Sequence, residues 1–302
     1  MCWSVLIAAL ISHSRTMQPN YAQRYGNWAL ITGGNTGIGY ELADQIAAGG
    51  CNIVLVARTK KSLDEASSKL TAKHGVNVRC IVADMSSQKG VEETIAAVKD
   101  LEIGMLVPNA GLEITGYFHE QDSDMIQKLL FVNVNAPTLL AHAFGRKMVA
   151  RDKGAIILVA SLLGFGAAPY YSVYAATKAY VISLGESLNS EFVPFGVHVT
   201  VLSPGATKTP MTADHDIASS GFKMGEASDA ARAGLKALGV SSVAVPGFWN
   251  KVMLVLASRI FPRFVRSYTS RLMLGKMVSI KPSGEAKASA VKVVKTAAKK
   301  AE

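Results

Sequence analysis

An α/β domain on a doubly wound parallel sheet is the fold this sequence predicts, and three observations predict it. From Trp28 onward, short apolar runs alternate with longer stretches of helical periodicity. Most of the short runs are continuously apolar, as strands are when helices cover both faces of a sheet. A glycine-rich turn, Thr32 to Gly39, joins the first such run to the first helical stretch. The expected architecture is a single domain of about seven strands flanked by helices, with a helical C-terminal extension.

The elements follow in order. "WALIT" reads as the first strand and "GIGYELADQIAAGG" as a helix closed by glycines. "NIVLVAR" is the second strand, followed by a helix over Leu63 to Lys73 and the third strand, "VRCIVAD". A helix over Lys89 to Lys99 leads to the strand in "GMLVPNAG", then to one long helical region over Met125 to Met148 and the strand "AIILVAS". A helix through Ala175 to Phe192 precedes the strand "VHVTVLS". Ala227 to Leu238 and "SSVAVPG" supply a last helix and strand. Strands joined by helices of this length form β-α-β units with right-handed crossovers.

The 302 residues are 49% hydrophobic and 18% charged, enough apolar surface for a substantial core and unlike a disordered chain. The net charge of +10 is unevenly placed. From Lys251 onward there are 12 Lys/Arg against 2 Asp/Glu, whereas the preceding residues hold 20 of each. A neutral body with a basic end argues against a nucleic-acid-binding core and directs any anionic partner to the C-terminus. Cys2, Cys51 and Cys80 form no metal-like cluster, and the scattered histidines lack ligand spacing, so no metal site is expected. Cys51 and Cys80 border apolar runs, as buried thiols of a reducing compartment do. The apolar run Val5 to Ile11 is too short to span a bilayer and follows no basic residue, which argues against an export signal.

Three motifs carry chemistry. In "TGGNTGIG" the glycines Gly33, Gly37 and Gly39 permit a tight turn that brings backbone N–H groups and a helix N-terminus against a diphosphate; a plain capped turn is the competing reading. About 20 residues on, where an NAD site places an acid on the ribose 2′-hydroxyl, the chain reads "VARTKK". Arg58 offers a guanidinium to a 2′-phosphate, which favours NADP(H) over NAD(H). In "YSVYAATK", Tyr174 and Lys178 stand at i and i+4 on one helix face, the spacing of an acid–base pair and also of two ordinary surface residues.

These motifs, in this order, resemble the short-chain dehydrogenases/reductases, in the ketoacyl-reductase-like branch. The resemblance runs from about Trp28 to Met211: "TGGNTGIG", Asp84 after the third strand, "NAG" at Asn109 to Gly111, Asn133 in "FVNVNA", Ser161, Tyr174 with Lys178, and "SPGATKT" at Ser203 to Thr209. It implies a Rossmann-type fold and an NADP(H)-dependent carbonyl reductase acting on an apolar or acyl-linked ketone or aldehyde. By the resemblance Tyr174 is the general acid, Lys178 lowers the phenol's pKa and holds the nicotinamide ribose, Ser161 donates to the substrate oxygen, and Asn133 holds a water in a proton relay. The cofactor set it implies is Thr32, Gly33, Asn35, Gly37, Ile38, Gly39, Arg58, Asp84, Asn109, Ala110, Gly111, Tyr174, Lys178, Pro204, Gly205 and Thr209. Within it, Asp84 contacts the adenine, Asn109 lies by the adenine-side ribose and Thr209 holds the carboxamide. The family usually has Asn where Pro108 stands, so hydrogen bonding at that strand end must differ.

The expected divisions are an N-terminal extension over 1–25 (with Met17 as an alternative start), a catalytic domain over 26–247, an apolar and basic helical extension over 248–280, and a Lys/Ala-rich tail over 281–302. Met211, Ile217, Phe222 and Met224, with Leu162, Leu163, Phe165 and Tyr170, read as an apolar substrate pocket or equally as ordinary packing of the segment that covers it. The extension reads first as packing over the site mouth or a subunit contact, and second as an interfacial helix touching anionic membrane. The resemblance also implies a cytoplasmic homo-oligomer paired through the helices at Met125–Met148 and Ala175–Phe192. A non-catalytic dinucleotide-binding scaffold is the alternative from another class.

Overall fold

The computed structural model describes residues 19–213, 223–255 and 262–277. Its strands are β1 (Trp28–Thr32), β2 (Asn52–Ala57), β3 (Val78–Val82), β4 (Ile103–Pro108), β5 (Gly154–Val159), β6 (Val197–Leu202) and β7 (Val243–Ala244). They form one sheet in the order β3-β2-β1-β4-β5-β6-β7, with every pairing parallel. β7 keeps only two of the residues in "SSVAVPG".

Helices cover both faces, which explains the uninterrupted apolar strands. Successive strand residues point to opposite faces, so Ile31, Ile53 and Leu55 join one core with Leu42 and Ile46 of α2 (Gly37–Ala48), Leu63 and Leu70 of α3 (Lys60–His74), and Leu235 of α8 (Ala227–Ala237). Leu30, Val54 and Val56 join the other, with Val91 of α4 (Gln88–Ala96), Leu140 and Phe144 of α6 (Ala136–Val149), and Val181 and Ile182 of α7 (Ser172–Phe192). The chain winds outward from β1 to β3 and then returns to place β4 on β1's other side. That reversal leaves a crevice at the carboxyl ends of β1 and β4.

The single helix expected over Met125 to Met148 is interrupted. α5 (Ser123–Leu130) passes through a π turn at Phe131–Asn135 before α6 begins. Pro137 has no N–H to return to the Asn133 carbonyl four residues earlier, so a regular α-helix cannot continue there. A helix not expected as an element, α1 (Tyr21–Tyr25), docks residues of the N-terminal segment onto the body. Tyr25 is buried with its hydroxyl 3.1 Å from His198 Nδ1, and burial pushes its pKa up to about 12. Cys51 is fully buried and Cys80 partly so, both free thiols.

Beyond β7 lie α9 (Phe248–Val255) and α10 (Arg263–Met277), the expected helical extension. Among the described residues no helix is long and apolar enough to cross a membrane. The basic tail and the apolar run Val5 to Ile11 lie outside the described residues, as do Ile217 and Phe222.

Candidate active site

A cavity of about 590 Å³ opens at the carboxyl ends of the central strands. At one end the β1–α2 turn forms its wall through Gly33, Asn35, Gly37 and Ile38. Gly37 has φ +57°, a left-handed conformation that favours glycine. Gly39 lies behind the wall, where a Cβ would sit 2.3 Å from the Gly33 carbonyl oxygen; only glycine lets the helix start this close to the turn. Such a cradle, with the N-terminus of the twelve-residue α2 behind it, fits a diphosphate. At the end of β2, Arg58 and Thr59 continue the lining, while neighbouring Lys60 pairs with Asp64 at 2.7 Å. At the neighbouring end of β3, Asp84, whose Oδ1 accepts from Ser86 N at 3.0 Å, also lines the cavity, as does Lys223.

Pro108 ends β4 beside Thr32. The Thr32 hydroxyl accepts from the backbone N–H of Asn109 at 3.1 Å and of Ala110 at 3.0 Å, which ties the strand end despite the missing proline donor. Asn109 donates its side-chain amide to the Thr32 and Gly33 carbonyls at 3.0 and 3.1 Å, joining the "NAG" turn to the glycine cradle. Three residues after Asn109, Leu112 is locked to Asn133: Leu112 N donates to Asn133 Oδ1 and Asn133 Nδ2 to the Leu112 carbonyl, both at 2.9 Å. Asn133 also donates to Thr177 Oγ1 at 3.1 Å. This buried side chain is therefore a clamp between the loop after β4 and α7.

Tyr174 and Lys178 come from the first turns of α7, and Ser161 from the end of β5. All three line the same end of the cavity. Ser161 hydrogen-bonds the Tyr174 side chain and accepts from Leu163 N at 3.2 Å. Lys178 donates to the Val159 carbonyl at 3.0 Å, which holds the ammonium between β5 and α7. The Ser161 loop lies directly on α7 because Gly164 has no Cβ; one placed there would be 2.7 Å from the Lys178 backbone.

The electrostatics differ from the expectation that Lys178 lowers the Tyr174 pKa. Burial drives the phenol pKa well above its ordinary value, the charge of Glu113 raises it further, and the Ser161 hydrogen bond pulls in the other direction. Burial also draws the Lys178 ammonium down to about 8, against the opposing charge of Glu113. Removing both groups from water outweighs their proximity. Glu113 lines the same cavity, its carboxyl pushed up to about 7 by burial and drawn back by Lys178.

Of the residues singled out in the sequence, Gly33, Asn35, Gly37, Ile38, Arg58, Asp84, Asn109, Ala110, Gly111, Ser161, Tyr174, Lys178, Pro204, Gly205 and Thr209 line this cavity. Thr32, Gly39 and Asn133 stand behind it and shape the wall. Leu162, Leu163 and Met211, grouped in the sequence as pocket candidates, also line the cavity. Phe165 packs into the sheet core, and Met224 joins the apolar cluster around Tyr171 and Tyr174. Sequence reasoning missed Glu113, Met125 and Leu274 in the lining. Glu113 had one usable signal, a lone acid two residues after "NAG" in an otherwise apolar stretch.

The family model for short chain dehydrogenases matches residues 27–219. A very-long-chain 3-oxoacyl-CoA reductase-like protein of Arabidopsis thaliana is 34% identical over 207 residues, which is 66% of this chain and 65% of that protein. A solved structure described for 7beta-hydroxysteroid dehydrogenase stereoselectivity superposes with a TM-score of 0.78 at 26% identity, over 83% of this chain and 99% of the other. A short-chain dehydrogenase from Sphingobium yanoikuyae in complex with NADPH superposes with a TM-score of 0.67 at 30% identity, over 78% and 96%.

Proposed function

The chain belongs to the short-chain dehydrogenase family of NAD(P)-dependent oxidoreductases acting on CH–OH groups, and from that premise we propose that it is an NADP(H)-dependent reductase of apolar ketones or aldehydes. The carrying observation is the convergence of Ser161, Tyr174 and Lys178 at one end of a cavity whose other end holds the glycine cradle and Arg58. The NADPH-bound Sphingobium relative supports the cofactor preference, and the hydroxysteroid and 3-oxoacyl relatives support a bulky apolar or acyl-linked substrate.

When bound, the reduced cofactor supplies the hydride that the carbonyl carbon accepts. Arg58 would meet the 2′-phosphate, with Lys60 held away by Asp64. Asp84 would contact the adenine and Asn109 the adenine-side ribose, while Pro204, Gly205 and Thr209 would border the nicotinamide, Thr209 at its carboxamide. Ser161 would donate to the substrate oxygen where negative charge develops. Tyr174, kept protonated by burial, would pass its proton to the same oxygen. Lys178 would hold the nicotinamide ribose. The Asn133 side chain is spent on Leu112 and Thr177, so a water relay would start from its backbone carbonyl, which Pro137 leaves without the ordinary helical donor.

A screen of NADPH oxidation over aldehydes, cyclic ketones and 3-oxoacyl thioesters tests this reading; no turnover with any class would overturn it. We place a two-copy contact on α6 and α7, where the exposed Tyr180 hydroxyl meets Thr138 Oγ1 at 3.1 Å. Light scattering that finds only monomer at micromolar concentration would remove that contact.

A further inference from the structure

We propose that helix α10 is the substrate-selecting wall of this site, with Leu274 setting how bulky a ketone can stand before Tyr174 and Tyr170 anchoring the helix in place. The inference rests on the carbonyl-reductase reading above. α10 lies beyond residues 27–219, the part matched by the family, so the shared motifs do not dictate where it goes. It nevertheless reaches the reacting end. Leu274 is only 4% exposed, lines the cavity, and packs in one apolar cluster with Leu129, Ala168, Tyr171 and Tyr174.

Two neighbours on the same helix fix its position against Tyr170. A Cβ at Gly275 would stand 3.1 Å from the Tyr170 ring, tight enough to push the ring back by a few tenths of an ångström, so the missing side chain lets the helix lie close against it. Arg271 Nε, four residues before Gly275, reaches the Tyr170 hydroxyl at 3.5 Å. Tyr170 itself adopts φ +71°, a conformation rare for tyrosine that persists only when its surroundings hold it. Its carbonyl accepts from Gly116 N at 2.9 Å, and its ring stands edge-on to Tyr117 with centroids 5.5 Å apart. The loop before α5, the loop before α7, and α10 thus meet on one side chain.

Selection by size follows from this arrangement. Ser161 and Tyr174 fix where the carbonyl oxygen must lie, so the substituents have to fit between that point and Leu274. A methylene of mismatch in an apolar pocket changes specificity roughly 10- to 200-fold.

The test uses the full chain, a graded series of ketones from cyclopentanone to a fused two-ring decalone, and NADPH affinity by fluorescence. Leu274→Ala should raise the kcat/KM ratio of the bulkiest to the smallest ketone by about tenfold or more, and Leu274→Phe should lower it by a similar factor. NADPH affinity should hold in both. Leu274→Phe keeps an apolar contact to Tyr170's neighbours, so it moves the ratio even if the alanine variant loosens the helix. A ratio unchanged in both variants, with the parent protein active, overturns the wall while leaving the reductase reading intact. A parent protein that binds NADPH and reduces no ketone of the series overturns the wall, and one that also reduces no aldehyde or 3-oxoacyl thioester overturns the reductase reading as well.

Discussion

The ammonium nitrogen of Lys178 stands 5.5 Å from the ring centroid of Tyr174, one turn further along α7. Both side chains are buried, and the phenol keeps its proton tightly. A group in this state is suited to giving a proton to an oxygen that is becoming an alkoxide. Tyr174→Phe removes the hydroxyl that carries that proton and keeps the ring, so turnover should fall by about 10²- to 10⁴-fold with NADPH affinity nearly unchanged. Steady-state rates beside a fluorescence titration of NADPH check both parts. Near-normal turnover would remove Tyr174 from the acid's role.

Lys178→Ala should behave differently. The ammonium is held by the Val159 carbonyl at the cavity wall, where the proposed reading puts the nicotinamide ribose and the reacting oxygen. Both turnover and NADPH affinity should therefore drop, the affinity by about 1.5 to 3 kcal/mol for a lost charge-assisted hydrogen bond. The same pair of measurements decides it. An affinity loss absent from Lys178→Ala would place the ribose elsewhere.

Arg58 offers the cleanest separation of the two cofactors. It lines the cavity while Lys60 is occupied by Asp64, and no acid lies between Cys51 and Leu63 to receive a ribose 2′-hydroxyl. Arg58→Ala should weaken NADPH by about 1.5 to 3 kcal/mol and leave NADH almost unaffected. Titrating both cofactors against both proteins is sufficient. Equal losses would mean that Arg58 does not read the phosphate.

The central strands were legible because both faces of each are buried, which writes a nearly unbroken apolar run into the sequence. The interruption between α5 and α6 was not read, since apolar periodicity continues through Phe131–Asn135; Pro137 was the signal that marked it. Motif residues of the site were legible by their order along the chain. What their surroundings do to them was not: the expected lowering of the Tyr174 pKa depended on exposure, and burial reverses it. Leu274 lies 100 residues after Tyr174 and reaches it only through the docking of α10 on Tyr170, which no local pattern encodes. Glu113 sits in an irregular loop, where periodicity says nothing about which side chains face inward.

Glu113 gives a prediction whose sign can be worked out. Burial places its folded pKa at about 7, above the ordinary 4.5, so the native chain binds this proton more tightly than the unfolded chain. Its contribution to stability is fully present below the unfolded pKa and is lost as pH rises through about 7, a fall of about 3 kcal/mol. Glu113→Gln keeps the shape without the ionisation, so the decline in Tm between about pH 5 and about pH 8 should flatten in the variant. Activity supplies an independent reading. The Glu113 carboxylate raises the pKa of both Tyr174 and Lys178, the pair that the proposed reduction keeps protonated. Removing it lowers both, and the alkaline limb of the kcat/KM profile should move to lower pH. A limb that stays in place while the Tm profile flattens would show that Glu113 is buried in the wall without acting on the reacting pair.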